Sequence, residues 1–119
     1  MANTFKLKSK NNIGVSTVGI YTVPGATTTV IIGVTCTNVS GQGINVGIGI
    51  SRATNGDDIN ILKNVPIPQG SALEIMQGNK IVVEAVDTVT ALSDVNNSLD
   101  VALTIMEICL LYTSAAADE

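Results

Sequence analysis

The sequence predicts an all-β protein: a single antiparallel β-sandwich of about eight strands, either jelly-roll or immunoglobulin-like. Three observations carry this expectation. Val, Ile and Thr dominate the chain, and their side chains suit a pleated, half-buried surface. Turn chemistry recurs at spacings near those of antiparallel sandwiches, about 8–12 residues. Helix signals are weak, because no stretch of about a dozen residues keeps an i, i+3, i+4, i+7 apolar pattern free of Gly.

The first strand is expected over Thr4 to Lys8, with Phe5 and Leu7 on one face and Lys6 and Lys8 on the other. Asn11-Asn12 follows as a turn. Val15 to Val23 forms the second strand, ended by Pro24-Gly25, a pair that suits a type II turn. Thr27 to Thr37 is the third. Its Val30-Ile31-Ile32 centre is apolar on successive residues, as in a strand covered on both faces. Ser40-Gly41-Gln42-Gly43 turns the chain into Ile44 to Ile50.

That fourth strand alternates without a break. Ile44, Val46, Ile48 and Ile50 share one face, and Asn45, Gly47 and Gly49 share the other. Gly weakens a strand interior unless another backbone comes close. Two readings follow: a bulge or corner of the sandwich, or a flat strip pressed against a neighbouring subunit. Gly47, Gly49 and Asn45 are therefore the candidate interface residues.

Ala53 to Asp58 reads as a loop around Asn55-Gly56. Ile59 to Val65 is the fifth strand, and Pro66 and Pro68 place it at an edge or crossover. Ser71 to Met76 and Lys80 to Val86 flank Gln77-Gly78-Asn79, which reads as a tight hairpin. Thr88 to Leu92 adds a short strand. Asp94 to Ser98 is a loop, and Leu99 to Ile108 closes the domain as a central strand.

Length and composition narrow the function. A chain of 119 residues allows one domain, large enough to bury about two-thirds of its unfolded surface. Hydrophobic residues make up 45% and charged residues only 13%, against about 25% charged in an average domain. Such a surface repels its own copies weakly and suits an assembly partner. The net charge of −4 argues against nucleic acid. Lys6, Lys8 and Lys10 read either as a nucleic-acid arm or as guards of an edge strand, and we favour the second. No apolar run is long enough for a membrane helix, so no membrane partner is expected. The first residues lack the apolar core of a secretory signal, which implies synthesis in a host cytoplasm.

The chemistry-bearing residues are few. With no His, neither a Ser-His-Asp nor a Cys-His arrangement forms, and a His-ligated zinc site is excluded. Cys36 lies in an apolar run and reads as a small core residue. Asp57 and Asp58 are a calcium loop or a solvated turn. Their spacing lacks alternating acidic ligands, which favours the turn. Glu74, Glu84 and Asp87 are a glycosidase-like cluster or ordinary strand faces. With aromatics at 3%, sugar stacking has little to work with, and carbohydrate is not an expected partner. We therefore expect no enzyme activity, no catalytic residues, no cofactor and no metal.

Residues 109–119 break the texture of the chain. They resemble a translated transposase adaptor of sequencing libraries, Cys-Leu-Leu-Tyr-Thr-Ser-Asp-Ala-Ala-Asp-Glu, departing only at Ala115. On this reading the domain spans 1–108 and residues 109–119 are a non-native or disordered tail. The alternative is a genuine strand end with an Ala-rich tail.

Several segments carry a further resemblance. They are Ile20-Tyr21-Thr22-Val23-Pro24 before a Thr-rich strand, Val65-Pro66-Ile67-Pro68-Gln69-Gly70-Ser71, and Gly78-Asn79-Lys80-Ile81-Val82-Val83-Glu84. Asp87 acts as a pivot, and Ser98-Leu99-Asp100-Val101 leads to a strand ending in Glu107-Ile108. Over residues 4–108 the chain resembles short virion structural proteins of tailed phages of marine bacteria and cyanobacteria. The resemblance implies a small β module in a head, neck, baseplate or fibre, with no catalytic residues. It implies a virion location, contact with other virion proteins, and self-association, a homotrimer being one closed arrangement. The runner-up is a carbohydrate-binding or adhesin-like sandwich.

Overall fold

The computed structural model describes residues 2–53, 56–75 and 80–109. Within them the chain is all-β. The first sheet contains β1 (Ala2–Ile13), β9 (Leu99–Cys109) and β3 (Thr27–Asn38) in that order. Two short strands, β6 (Ala72–Ile75) and β7 (Ile81–Val83), both lie against β3. The second sheet is β2 (Val18–Thr22), β8 (Thr88–Ser93), β4 (Ile44–Ser51) and β5 (Asp58–Ile67). Every pairing is antiparallel.

The pairings are nested. β1 pairs with β9, β2 with β8, β3 with β6 and β7, and β4 with β5. A long antiparallel ribbon folded over on itself gives this pattern, with neighbouring rungs falling in alternate sheets. It is the jelly roll rather than the immunoglobulin arrangement. β1, β6, β7, β2 and β5 lie at the sheet edges, and the long β9 and β3 occupy the centre of the first sheet. β9 is thus the central strand expected of the closing segment. β5 is the edge strand that Pro66 and Pro68 called for.

The core lies between the sheets. Ile44, Val46, Ile48 and Ile50 from β4 meet Ile31, Val34 and Cys36 from β3 and Leu99, Val101, Leu103 and Ile105 from β9. All are 2% exposed or less. Period-two alternation puts these side chains on the inner faces, and on β4 it leaves the other face to Asn45, Gly47 and Gly49.

Three details differ from the sequence expectation. β1 runs past Asn11-Asn12 to Ile13. Asn12 takes a left-handed φ of 53° inside a bulge between Lys10 and Ile13, so the turn signal becomes a kink within the strand. At Pro24-Gly25 the left-handed residue is Ala26, φ 56°, so the expected type II geometry with Gly25 at the positive position does not form. β6 and β7 are not the two arms of a hairpin. Ile75 pairs with Val34 and Ile81 with Ile31, so both continue along one edge of β3. Residues 77–79, read as the hairpin turn, lie outside the described residues. So do Asn55 and residues 110–119.

Candidate functional site

The glycine strip lies on β4, an inner strand flanked by β8 and β5. The β4–β5 register shifts between Val46 and Ile48 and again between Ile48 and Gly49. These bulges bring the β5 backbone over the strip. A Cβ on Gly49 would lie 2.7 Å from the Ile59 carbonyl oxygen, and one on Gly47 would lie 3.1 Å from Leu92 Cδ2. Both glycines are buried, while Asn45 is exposed. A groove of about 280 Å3 remains above them, lined in part by Asn60, Thr90 and Leu92. The close approach that glycine permits is therefore made, at Gly49, by the chain's own β5.

Asn45 is held in place by Asp94. Its backbone N–H donates to Asp94 Oδ1 at 2.9 Å, and its Nδ2 donates to Oδ2 at 3.1 Å. The Asp94 N–H returns a bond to the Asn45 carbonyl at 3.1 Å. This ties the start of β4 to the loop after β8, beside the strip.

Of the carboxylates considered as a catalytic set, Glu84 and Asp87 meet on Arg52, and Glu74 stands apart. Glu74 stands on β6 opposite Thr35, on the outer face of the first sheet. Asp87 is buried at 1% exposure. Its Oδ2 accepts the Glu84 N–H at 3.0 Å and its Oδ1 accepts the Ala53 N–H at 3.3 Å. Arg52, the only arginine of the chain, sits between Asp87 and Glu84. Its Nη2 bonds Glu84 Oε1 at 2.7 Å, and its Nε lies 2.8 Å from Asp87 Oδ2. The Nε contact is one of charge, since its N–H does not align with an acceptor. Backbone bonds from the Val23 N–H to Asp87 and from the Val86 N–H to Val23 complete the junction. Asp87 is a pivot, and Arg52 is the partner that the sequence reading did not single out. A lone basic residue beside a turn carries no pattern from which that role can be read.

A second network lies at the same end of the molecule. The Tyr21 hydroxyl donates to Glu107 Oε2 at 2.5 Å and shares a 2.8 Å bond with Thr29 Oγ1. Lys6 Nζ lies 2.9 Å from Glu107 Oε1, and Lys8 Nζ sits 5.7 Å from the Tyr21 ring centre. Burial, then the Glu107 hydrogen bond, pushes the Tyr21 hydroxyl up to about 12. Burial works to raise Glu107 as well, but the Tyr21 hydroxyl and the Lys6 ammonium outweigh it and hold the carboxyl below its usual value. Lys6 and Lys8 thus project from an edge strand toward the second sheet, an arrangement that blunts the edge. Cys36 is fully buried, and burial pushes its thiol up to about 11, as befits a core residue.

Among the described residues, no group of three or more His, Cys, Asp or Glu is placed to hold a metal ion. The peptide N–H of Arg52 donates to the Asp57 carbonyl at 2.8 Å, and the Gly56 N–H donates to the Arg52 carbonyl at 2.8 Å.

No protein-family model matches the chain, and no curated protein matches it in sequence. Solved structures do share the fold. The chain is similar to one from the disulfide-linked pili of Bacillus endospore appendages, at 14% identity and a TM-score of 0.56, covering 92% of this chain and 88% of that one. It is also similar to one from the capsid of Helicobacter pylori bacteriophage KHP30, at 9% identity and a TM-score of 0.55, covering 91% and 89%. At these identities the likeness is one of fold. The proteins that share it here are structural parts of a pilus and a capsid.

Proposed function

We propose that the chain is a non-enzymatic structural part of a tailed-phage virion, one that associates with its own copies and docks on a larger shell or tail protein. The observation that carries this reading is the nested jelly roll itself. It takes up nearly the whole described chain and matches a phage capsid chain almost end to end. The polar clusters add support. Asp87 and Glu107 are spent on closing the two sheets against each other, which is structural work. In this reading a neighbouring chain enters the groove above β4, whose lining includes Gly47 and Gly49, and meets the exposed Asn45 beside it. Closed rotational symmetry, a trimer being one case, suits repeated virion parts. The location that follows is the virion, after synthesis in the host.

A filament subunit is the second reading, favoured by the likeness to the endospore appendage chain. Electron microscopy of the concentrated protein separates the two, since closed particles or rings support the virion part and unbranched fibres support the filament. Mass spectrometry of virions purified from the source community tests the first reading directly. Its peptides should be present in multiple copies per particle. A strictly monomeric protein that binds glycans and is missing from virions would refute the proposal in favour of the binding module.

A further inference from the structure

The outer face of the first sheet is built the wrong way round for a free protein. Phe5, the only phenylalanine of the chain, is 69% exposed, Leu7 is 67% exposed and Val82 is 60% exposed. On β1 the lysines take the face toward the second sheet, and the apolar side chains take the face toward solvent. The ladder aligns these residues. Phe5 pairs with Met106, Met106 with Val30, and Val30 with Val82, so one row of four apolar side chains crosses all four strand positions. Ile108 extends the patch in the row on one side, with Asn3 and Thr28, and Leu7 extends it on the other, with Thr104. These three rows carry no charge.

We propose that this face is a second self-association surface, on which another copy of the chain packs sheet to sheet about a twofold axis. The inference rests on the assembly reading above and adds a face on the opposite side of the sandwich from the glycine strip. The choice of a second copy follows from charge. A twofold axis lays the same rows of both copies across one another, and rows without charge meet there with no like-charge repulsion and no charge stripped of water. A basic or acidic partner, by contrast, finds nothing here to pair with. At ~4.8 Å between strands and ~3.3 Å per residue, the uncharged rows from Asn3 to Leu7 span roughly 320 Å2 in projection. A patch of that size is below the ~800 Å2 per partner of a standard interface and belongs with the smaller, concentration-dependent contacts. Phe5 supplies the aromatic anchor near its middle, and contiguous apolar surface of this kind is rare on monomers.

Sedimentation of the full chain tests this, with Phe5→Asp, Leu7→Asp and Val82→Asp beside it. The wild type should associate with little dependence on salt. Each variant should weaken that association at least tenfold while melting at the wild-type temperature. Association unchanged in all three variants overturns this face and leaves assembly through the glycine strip standing. A wild type that is monomeric at every concentration overturns both. Variants that melt lower but associate as before point to residues 110–119 folding back onto the patch, and also overturn it. Where an Asp variant fails to fold, Phe5→Ser and Val82→Thr provide the same comparison without a new charge.

Discussion

Ile48 is fully buried at the centre of β4, with core side chains from both sheets around it. Replacing it with Ala removes methylene contacts that neighbouring strands cannot close up, and should cost about 2–5 kcal/mol in denaturant unfolding. The Tyr21–Glu107 pair responds to pH instead. The folded Tyr21 value lies above the ordinary one near 10, so its contribution is complete below about pH 10 and is lost as pH rises toward about 12. Glu107 is depressed, so its contribution is present above the ordinary carboxylate range and is lost as pH falls through the folded value. Tyr21→Phe should therefore flatten the alkaline limb of melting temperature against pH and, by freeing Glu107 of a donor, soften the acid limb as well. Equal slopes in wild type and variant would show that the hydroxyl does not couple to folding.

At the level of strands, the alternation of Ile44–Ile50 was readable because period two with branched side chains leaves one way to avoid water. The edge position of β5 was readable from Pro66, and the centrality of β9 from its mixed apolar pattern. Register was not readable. Whether Gly47 and Gly49 meet a neighbour or their own sheet depends on bulges in β4–β5, and bulges are set by long-range fit. The same holds for β6 and β7, whose partner is β3 and not each other, a pairing fixed by nesting and not by the turn between them. Arg52 escaped because its partners are 32 and 35 residues away in sequence. Two expectations follow. Gly49→Ala meets the Ile59 carbonyl at 2.7 Å and should destabilise by about 1–3 kcal/mol. Gly47→Ala, which meets only the tip of Leu92 so closely, should cost less in the same thermal melt. Removing residues 109–119, the adaptor-like segment, should leave the melting temperature nearly unchanged. A large drop would make those residues part of the native core.

Across the whole molecule, the nested ribbon means that the outermost rung, β1 with β9, joins residues far apart in sequence, Ala2 beside Cys109. Such pairings place the domain with the slower-folding topologies, in the range of milliseconds to seconds. The same rung decides how the protein bears load. The start of β1 and the end of β9 leave the fold side by side, so a pull applied through them opens the β1–β9 ladder one hydrogen bond at a time, like a zip, where a pull on opposite ends of a strand pair would load every bond together. In single-molecule stretching, the chain tethered at residues 2 and 109 should yield at far lower force than when tethered at residues 2 and 99, the opposite ends of the same strand pair. A particle built from this module is thus mechanically sound only if stress passes between faces, and weak wherever it hangs from its ends.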